Sequence, residues 1–193
     1  GPEQVLLVLK RMHSPMRVLL AVAEPTNNID LIVFDDRLKL FFYLQCRFKV
    51  EVENIRGQDV RSTIARSVAV KLLSAVSKQC GFEPNVEMKN PTLTVYVVNV
   101  EGKYYVGIDA AGFELHARRY RLFPSAASFK GDLGYYIIRS SGFQRGEKLL
   151  VGFMKDGTLP IEAALFANAL SLYSHSTLFS CLSFPLFQGV QCV

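Results

Sequence analysis

A short run near the middle of the chain has the residue types that bind phosphate. The stretch HARRYR places His116, Arg118, Arg119 and Arg121 within six residues, with Tyr120 among them. Guanidinium groups can bind phosphate through two parallel hydrogen bonds, and an aromatic ring offers a face to an unpaired base. These residues are therefore candidates for contact with a polyanion. Ion pairs with nearby carboxylates are the structural alternative for each arginine.

A second group of cations begins a predicted helix. Arg56, Arg61 and Arg66 lie in and just after the stretch NIRGQDVRSTIAR, and Lys130 lies further along the chain. Residues 46–145 carry 15 basic and 9 acidic residues, so the whole excess of positive charge, +5 for the chain, lies in this middle part. Clustered positive charge favours a polyanionic partner, and an ordinary solvated surface is the alternative.

The third candidate is a tight turn near the end of the chain. The run LLVGFMKDGTLPIEAALF predicts a strand, a turn at Lys155, Asp156, Gly157 and Thr158, and a helix with Glu162 one turn along. In α/β enzymes such a turn lets the backbone approach a nucleotide-like cofactor closely. We expect Gly157 at positive φ and Thr158 as the helix cap. A helix with a solvated Glu162 is the alternative.

The elements that must position these residues are clearest between 47 and 109. Alternating Phe48, Val50 and Val52 predict a half-buried strand over 47–54. Residues 61–79 predict a helix with a buried stripe at i+4 spacing, capped by Ser62 and ended by Gly81. The stripe consists of Ile64, Val68, Leu72 and Val76. Segments 92–100 and 103–109 predict a hairpin that turns at Glu101 and Gly102.

Four other segments are predicted from apolar patterns alone. Residues 16–23 indicate a buried strand, and residues 29–45 fit either one amphipathic helix or two short strands. Residues 125–142 predict a helix capped by Ser125, and residues 147–153 predict the strand before the turn. The apolar face of that helix would consist of Leu133, Tyr135, Tyr136 and Ile137.

Residues 47–109 resemble the THUMP domain, an RNA-binding module. Residues 107–131 resemble the segment that joins this module to a methylase domain, and residues 149–165 resemble motif I of THUMP-linked RNA methyltransferases. The resemblance implies an α+β fold with a ferredoxin-like unit at 1–46 and a THUMP-like domain at 47–112. A linker and helix would span 113–145, and the first strand and helix of a Rossmann-like methyltransferase domain would lie in 146–193.

The resemblance also implies a function. Members of the family transfer a methyl group from S-adenosylmethionine to a base nitrogen of tRNA or another structured RNA. The implied RNA-binding residues are Arg56, Arg61, Arg66, His116, Arg118, Arg119, Tyr120, Arg121 and Lys130. The implied cofactor-binding residues, vestigial or partial, are Lys155, Asp156, Gly157, Thr158 and Glu162.

The sequence departs from the family pattern in its catalytic part. Lys155 replaces a turn glycine, and Val151 lies where an acidic residue often ends the strand. The chain has no Asn-Pro-Pro motif, since Asn90-Pro91 lacks the second proline. We therefore expect an incomplete catalytic domain, doubtful cofactor binding and no turnover by this chain alone. The alternative is a non-catalytic adaptor that presents tRNA to a separate modification enzyme.

The remaining composition excludes several classes of protein. Cysteines and histidines are scattered, which argues against a metal site and favours reduced, packed cysteines in a cytoplasmic protein. The sequence contains no run of 18 apolar residues, so it predicts no membrane span. Residues 163–193 contain no Asp, Glu, Lys or Arg. We expect this tail to be a truncation product or a buried strand, and its apolar surface to promote self-association.

Overall fold

The computed structural model describes residues 1–121, 128–152, 154–173 and 179–189. It divides into two compact units. The sheet unit comprises Val18–Gly112 with Leu178–Val193, and the helical unit comprises Gly1–Arg17 with Phe113–Thr177. The domain boundaries at 46, 112 and 145 come from a family resemblance and not from compactness, so they stay a prediction.

The described residues combine helices with one mixed sheet. The α-helices are α1 Pro2–Arg11, α2 Gln58–Cys80, α3 Gly131–Ser140 and α4 Thr158–Ala167. The strands, all in the sheet unit, are β1 Leu19–Ala21, β2 Arg47–Glu53, β3 Asn85–Val86, β4 Leu93–Val100 and β5 Lys103–Asp109. Their order is β1-β5-β4-β2-β3, with β2 parallel to both neighbours and the other pairs antiparallel. The predicted mixture of α and β structure is therefore confirmed.

The segment from β2 to α2 follows the sequence prediction closely. Phe48, Val50 and Val52 of β2 are buried, while the residues between them are half-buried. The buried residues of α2 are the four predicted stripe residues, Ile64, Val68, Leu72 and Val76. Gly81 ends the helix in the left-handed conformation, at φ 76°. Period-2 and period-3.6 patterns are reliable here because both elements bury only one face against the other.

The beginning of α2 differs from the prediction. The helix begins at Gln58, one turn before Ser62, and its N-cap is Gly57. Gly57 has φ 89°, a conformation that other residues rarely adopt, so it can direct the chain into the helix without a side-chain cap. This earlier start places Arg61 inside the first helical turn instead of before it.

The hairpin is confirmed, and the first strand is shorter than predicted. Glu101 and Gly102 both have positive φ, and Val100 pairs with Lys103, as a two-residue loop of the primed type requires. β1 covers only Leu19–Ala21 at the edge of the sheet, and its residues are half-buried or exposed, so the prediction of a buried strand is wrong for this element. A Cβ on Gly107 of β5 would lie 2.9 Å from Leu19 Cβ, so a glycine permits this close strand pairing.

Neither alternative for residues 29–45 is correct. The segment forms two short 3-10 turns, Ile29–Leu31 and Asp36–Leu40. The side chain of Asn28 accepts a hydrogen bond from Asp30 N, and that of Asp35 accepts one from Arg37 N, each at 2.9 Å. Short polar side chains that bond the backbone two residues ahead favour tight turns over longer elements.

The helical unit packs α3 against α4 through small residues. α3 begins at Gly131, with Lys130 as its N-cap, and the predicted cap Ser125 lies outside the described residues. Its buried residues are Gly131, Gly134 and Ile138. The predicted apolar face is therefore wrong for Leu133, Tyr136 and Ile137, which are exposed, although Tyr135 is half-buried. A pattern search for large apolar residues misses a helix that packs through glycine.

The predicted strand before the turn is absent from the described residues of that segment. Residues 147–152 have no strand pairing, and Leu150 is 95% exposed, while Phe153 lies outside the described residues. A strand exists only when its backbone groups pair with a neighbour. Within its described part, the helical unit has no second strand that could pair with this apolar run.

The described part of the tail, 179–189, packs into the sheet unit as two 3-10 turns and not as a strand. The turns are Ser180–Ser183 and Pro185–Phe187. Phe179, Phe184 and Phe187 are buried, and Cys181 N donates to Ala110 O at 3.0 Å. The uncharged composition therefore reflects burial, at least for these residues. Self-association was expected because an apolar tail would be exposed. These aromatic rings are buried instead, so they offer no such surface.

Candidate functional site

The turn before α4 has the tight geometry that the sequence predicted. Gly157 N donates to Met154 O at 2.8 Å, and Gly157 has φ 77°. Lys155, which replaces a glycine of the family pattern, has φ 45°. A side chain in the left-handed region costs about 1 kcal/mol. The backbone thus retains a conformation that suits glycine at the position where the sequence has lysine.

The cap of α4 differs from the prediction. Asp156 Oδ1 accepts a hydrogen bond from Thr158 N at 3.1 Å. The side chain that pairs with a free N–H group at the start of α4 is therefore that of Asp156 and not that of Thr158. Asp156 Oδ2 lies 3.5 Å from Arg121 Nη2. The neighbouring polar groups of Thr158 and Ser128 and the Arg121 charge lower the pKa of Asp156 to about 2. The carboxylate of the turn is therefore already engaged by the protein.

A buried ion pair links the HARRYR run to α4. Arg118 Nε lies 2.6 Å from Glu162 Oε1, and the exposed fractions of the two side chains are 1% and 0%. Arg118 also donates from Nη1 to His116 O at 3.0 Å and from Nη2 to His13 O at 2.7 Å. Tyr120 donates its hydroxyl to Glu162 Oε1 at 2.5 Å. Buried charges persist only when they are paired and hydrogen-bonded in this way.

This network gives three predicted site residues a structural role. Arg118 and Tyr120 were candidates for RNA contact, and Glu162 was a candidate for cofactor contact. Because Arg118 and Glu162 are buried and their charged atoms contact each other, neither presents its charge to a ligand in this structure. Burial, reinforced by the Glu162 carboxylate, also raises the pKa of the Tyr120 hydroxyl.

His13 belongs to the same network, and the sequence offered no signal for it. Its ring stacks on Tyr135 at 4.7 Å between centroids, and its carbonyl accepts a hydrogen bond from Arg118. Burial lowers the pKa of His13, the nearby Arg118 acts in the same direction, and Glu162 opposes it. The residue is 105 positions from Arg118 in the chain, so only the tertiary fold brings them together.

The arginines at the start of α2 have a different environment. Arg56, Arg61 and Arg66 are all exposed. None of the three forms an ion pair with a carboxylate in the described part of the chain. Arg61 Nη2 donates to the neutral Gln58 side chain at 2.6 Å. These guanidinium groups therefore keep their charge available to solvent or to a ligand.

Two of these arginines border a groove between α2 and the β2–β3 edge of the sheet. The groove has a volume of about 520 Å³. Its floor is mostly apolar and includes Ala65, Ala69, Val70, Leu73, Val86 and Met88. Glu51 also lines it, but Lys49 Nζ lies 2.7 Å from this carboxylate. The arrangement offers an apolar trough with two guanidinium groups, Arg61 and Arg66, along its rim.

Apart from Arg56, the remaining predicted RNA-binding residues belong to the helical unit. Arg119 and Lys130 are exposed, Arg121 is half-buried beside Asp156, and His116 Nε2 lies 3.8 Å from Glu114 Oε2. The structure therefore separates the predicted RNA-binding set into exposed cations and internally paired ones. It brings together Arg118, Tyr120 and Glu162, which the sequence assigned to different ligands.

The described residues contain neither a metal-binding cluster nor a helix that could span a membrane. No group of three or more His, Cys, Asp or Glu side chains there has the geometry to hold a metal ion. No helix in the same residues is long and apolar enough to cross a bilayer.

The chain is similar to methyltransferases of known sequence. It is 29% identical over 128 residues to the ribosomal RNA large subunit methyltransferase K/L of Vibrio campbellii, a match that covers 65% of this chain and 18% of that protein. No protein-family model matches the sequence. The chain thus corresponds to under a fifth of the length of this curated relative.

Solved structures of methyltransferases share the fold. A predicted N6-adenine-specific DNA methylase from Listeria monocytogenes superimposes with a TM-score of 0.68 at 16% identity, covering 96% of this chain and 50% of that one. A methyltransferase-type protein complexed with SAH gives 0.68 at 18% identity, with the same coverage. The chain spans about half the length of these structures. Over the half of these structures that the match covers, this chain shares their fold.

Proposed function

We propose that this chain is the RNA-binding portion of an S-adenosylmethionine-dependent methyltransferase that modifies a base nitrogen of RNA. The observation that carries the proposal is a set of exposed arginines just before and within the first part of α2, Arg56, Arg61 and Arg66, none of which has a carboxylate partner among the described residues. The similarity to a ribosomal RNA methyltransferase supports RNA as the polyanion. A THUMP-like identity of the sheet unit and a cytoplasmic location are parts of the same proposal.

The electrostatics of α2 favour a phosphate at this position. Arg61 and Arg66 carry full charges, and the N-terminal end of a helix adds a partial positive charge from its free N–H groups. Asp59 lies in the same first turn, so the net positive charge here is smaller than the charge of the three arginines alone. Phosphate contacts of this kind position RNA without reading its sequence. The apolar trough beside them can bury part of a ribose or base.

The residues of the turn do not fit the methyl donor as they stand. The Asp156 carboxylate accepts the Thr158 N–H, and the Glu162 carboxylate is buried against Arg118. Lys155 has φ 45°, and its side chain stands where the resembled pattern has a glycine, which would let a ligand approach the backbone closely. We therefore derive no catalytic step through S-adenosylmethionine. Support for this cofactor comes from the similarity to a protein complexed with SAH.

The second candidate function is a non-catalytic adaptor that presents tRNA to a separate modification enzyme. The engagement of both carboxylates by the protein favours it, because an adaptor needs no cofactor pocket. Calorimetry with S-adenosylmethionine separates the two functions. One-to-one binding favours the methyltransferase portion, and the absence of binding together with intact tRNA binding favours the adaptor.

RNA binding itself is tested by removing the rim arginines. In filter binding with a tRNA transcript at several salt concentrations, Arg61→Ala plus Arg66→Ala should lower the affinity by about tenfold at 0.15 M salt. The slope of log affinity against log salt should shrink by roughly 1.4 to 1.8, since each of the two lost phosphate contacts removes about 0.7 to 0.9.

The matched control removes two positive charges elsewhere in the sheet unit. Lys78 and Lys103 are exposed and lie outside the groove lining. The variant Lys78→Ala plus Lys103→Ala should retain most of the affinity. Equal losses in the two double variants would mean that net charge and not the α2 site attracts the RNA, and the proposed site would be rejected.

A further inference from the structure

A second basic cavity lies in the helical unit, where α3 and α4 end. Its volume is about 420 Å³, within the range of ligand pockets. The side chains that matter for its chemistry are Arg139, Phe143, Gln144, Arg145 and Phe166. The sequence linked none of these side chains to a function.

The cavity carries two cations that the protein itself does not neutralise. Arg139 and Arg145 are exposed, and neither forms an ion pair in the described part of the chain. The acid nearest to Arg145 along the chain is Glu147, whose Oε2 accepts the Gln144 N–H at 2.8 Å. That hydrogen bond keeps the Glu147 carboxylate at the backbone of the loop. Two guanidinium groups around one open cavity attract an anion.

Helix ends normally oppose an anion because their last carbonyls carry partial negative charge. Here several of these carbonyls already accept hydrogen bonds. Ser141 donates from its hydroxyl to Ile138 O at 2.7 Å and from its N–H to Ile137 O at 3.0 Å. On α4, Asn168 Nδ2 donates to Ala164 O at 2.8 Å. The two full charges of the arginines therefore dominate the field in the cavity.

The same cavity contains two aromatic rings. Phe166 packs edge-to-face on Tyr135, with centroids 6.0 Å apart and planes at 74°, which fixes the ring in place. Phe143 is half-buried and follows Gly142, whose φ of 74° turns the chain sharply after α3. Guanidinium groups beside aromatic rings match the two parts of a nucleotide, the phosphate and the planar base.

We propose that this cavity binds a nucleotide of single-stranded RNA, with Arg139 and Arg145 on phosphate and Phe143 against the base. The inference rests on the proposed RNA-binding function and adds a contact site in a different unit from the α2 groove. The expected contacts are independent of base identity, because every base has a face that can stack. The site would extend the length of RNA strand that the chain covers.

The charge contribution is tested with a 12-nucleotide single-stranded oligoribonucleotide and the full chain. Arg139→Ala plus Arg145→Ala should lower the affinity by about tenfold at 0.15 M salt and reduce the salt slope by roughly 1.4. Arg11→Ala plus Lys148→Ala removes two charges from the same unit outside the cavity and should leave both quantities nearly unchanged. Equal losses in the two variants would overturn the proposal.

The aromatic contribution has a different signature. Phe143→Leu should lower the affinity by about 5- to 150-fold, the range for loss of one stacked base, with the salt slope unchanged. Phe143→Tyr retains a ring and should restore most of the affinity. If the Leu and Tyr variants bound the RNA with equal affinity, no base would stack on residue 143 and the proposal would fail. A mononucleotide that bound as tightly as the 12-mer would exclude RNA as the ligand.

The two sites can fail separately. If Arg61→Ala plus Arg66→Ala weakens RNA binding while the Arg139 and Arg145 variant does not, this inference is wrong and the proposed function stands. If neither double variant weakens binding, both are wrong. Thermal unfolding checks that each variant is folded, and little change is expected because all four arginines are exposed.

Discussion

Two arginine-rich regions of this chain look alike in sequence and have opposite environments in the structure. The start of α2 holds Arg61 and Arg66 in solvent, without carboxylate partners in the described residues. The HARRYR run directs Arg118 into the helical unit against Glu162 and places Arg121 beside Asp156. The difference shows that the role of an arginine depends on carboxylates that are distant in sequence. The first region is suited to binding and the second to stability.

The largest expected effect concerns the buried pair. Arg118→Ala should lower the free energy of unfolding by about 3 to 5 kcal/mol, because it leaves the Glu162 carboxylate buried without a counter-charge. Urea denaturation measures the change. Arg118→Met combined with Glu162→Leu should recover most of the loss, since it removes both charges.

The neighbouring Arg119 is the control for that experiment. It is exposed, so Arg119→Ala should change the free energy of unfolding by no more than about 0.5 kcal/mol. If Arg118→Ala were no more destabilising than Arg119→Ala, and weakened RNA binding instead, Arg118 would belong with the binding residues. The assignment of a structural role to the HARRYR region would then be wrong.

The second effect concerns binding at α2. Arg66→Glu should lower the affinity for a tRNA transcript by at least about tenfold, because it replaces attraction with repulsion at a phosphate. The free energy of unfolding should change by less than about 0.5 kcal/mol, as is usual for an exposed residue. Lys78→Glu makes the same reversal near the other end of the helix. A comparable loss of affinity in that variant would argue against a localised site.

The third effect is a pH dependence at Asp156, the turn carboxylate that lies beside Arg121 of the HARRYR run. The folded pKa of Asp156, about 2, lies below its unfolded value of 3.8. The stabilisation that it provides is therefore complete above the unfolded value and is lost as the pH falls toward 2. Asp156→Asn should be less stable than the native chain at pH 6, and the difference should shrink between pH 4 and pH 2. A difference that is constant over this range would refute the assignment.

The smallest effect concerns the turn itself. Lys155→Gly should raise the free energy of unfolding by up to about 1 kcal/mol, because glycine adopts φ 45° without the steric cost of a side chain. Lys148→Gly is the matched control, since Lys148 does not have positive φ and should lose a little stability through the greater freedom of the unfolded chain. Thermal unfolding can resolve the opposite signs.

The sequence by itself determined the elements whose signals are local. The alternating residues of β2, the i+4 stripe of α2, the glycine that ends α2 and the turn at Glu101 and Gly102 were all predicted correctly, because each depends on neighbours within a few residues. The exposed arginines of α2 follow from the same pattern, since they lie off the buried stripe.

The tertiary structure alone decided which candidate side chains remain available. Arg118 meets Glu162 across 44 positions of the chain and His13 across 105, and no local pattern records such partners. The apolar run at 147–152 predicts a strand but has no paired neighbour in the described residues. Helix α3 packs through Gly131 and Gly134 instead of its large side chains. Pairing, burial and close approach are properties of distant segments that meet, so only the folded chain could reveal them.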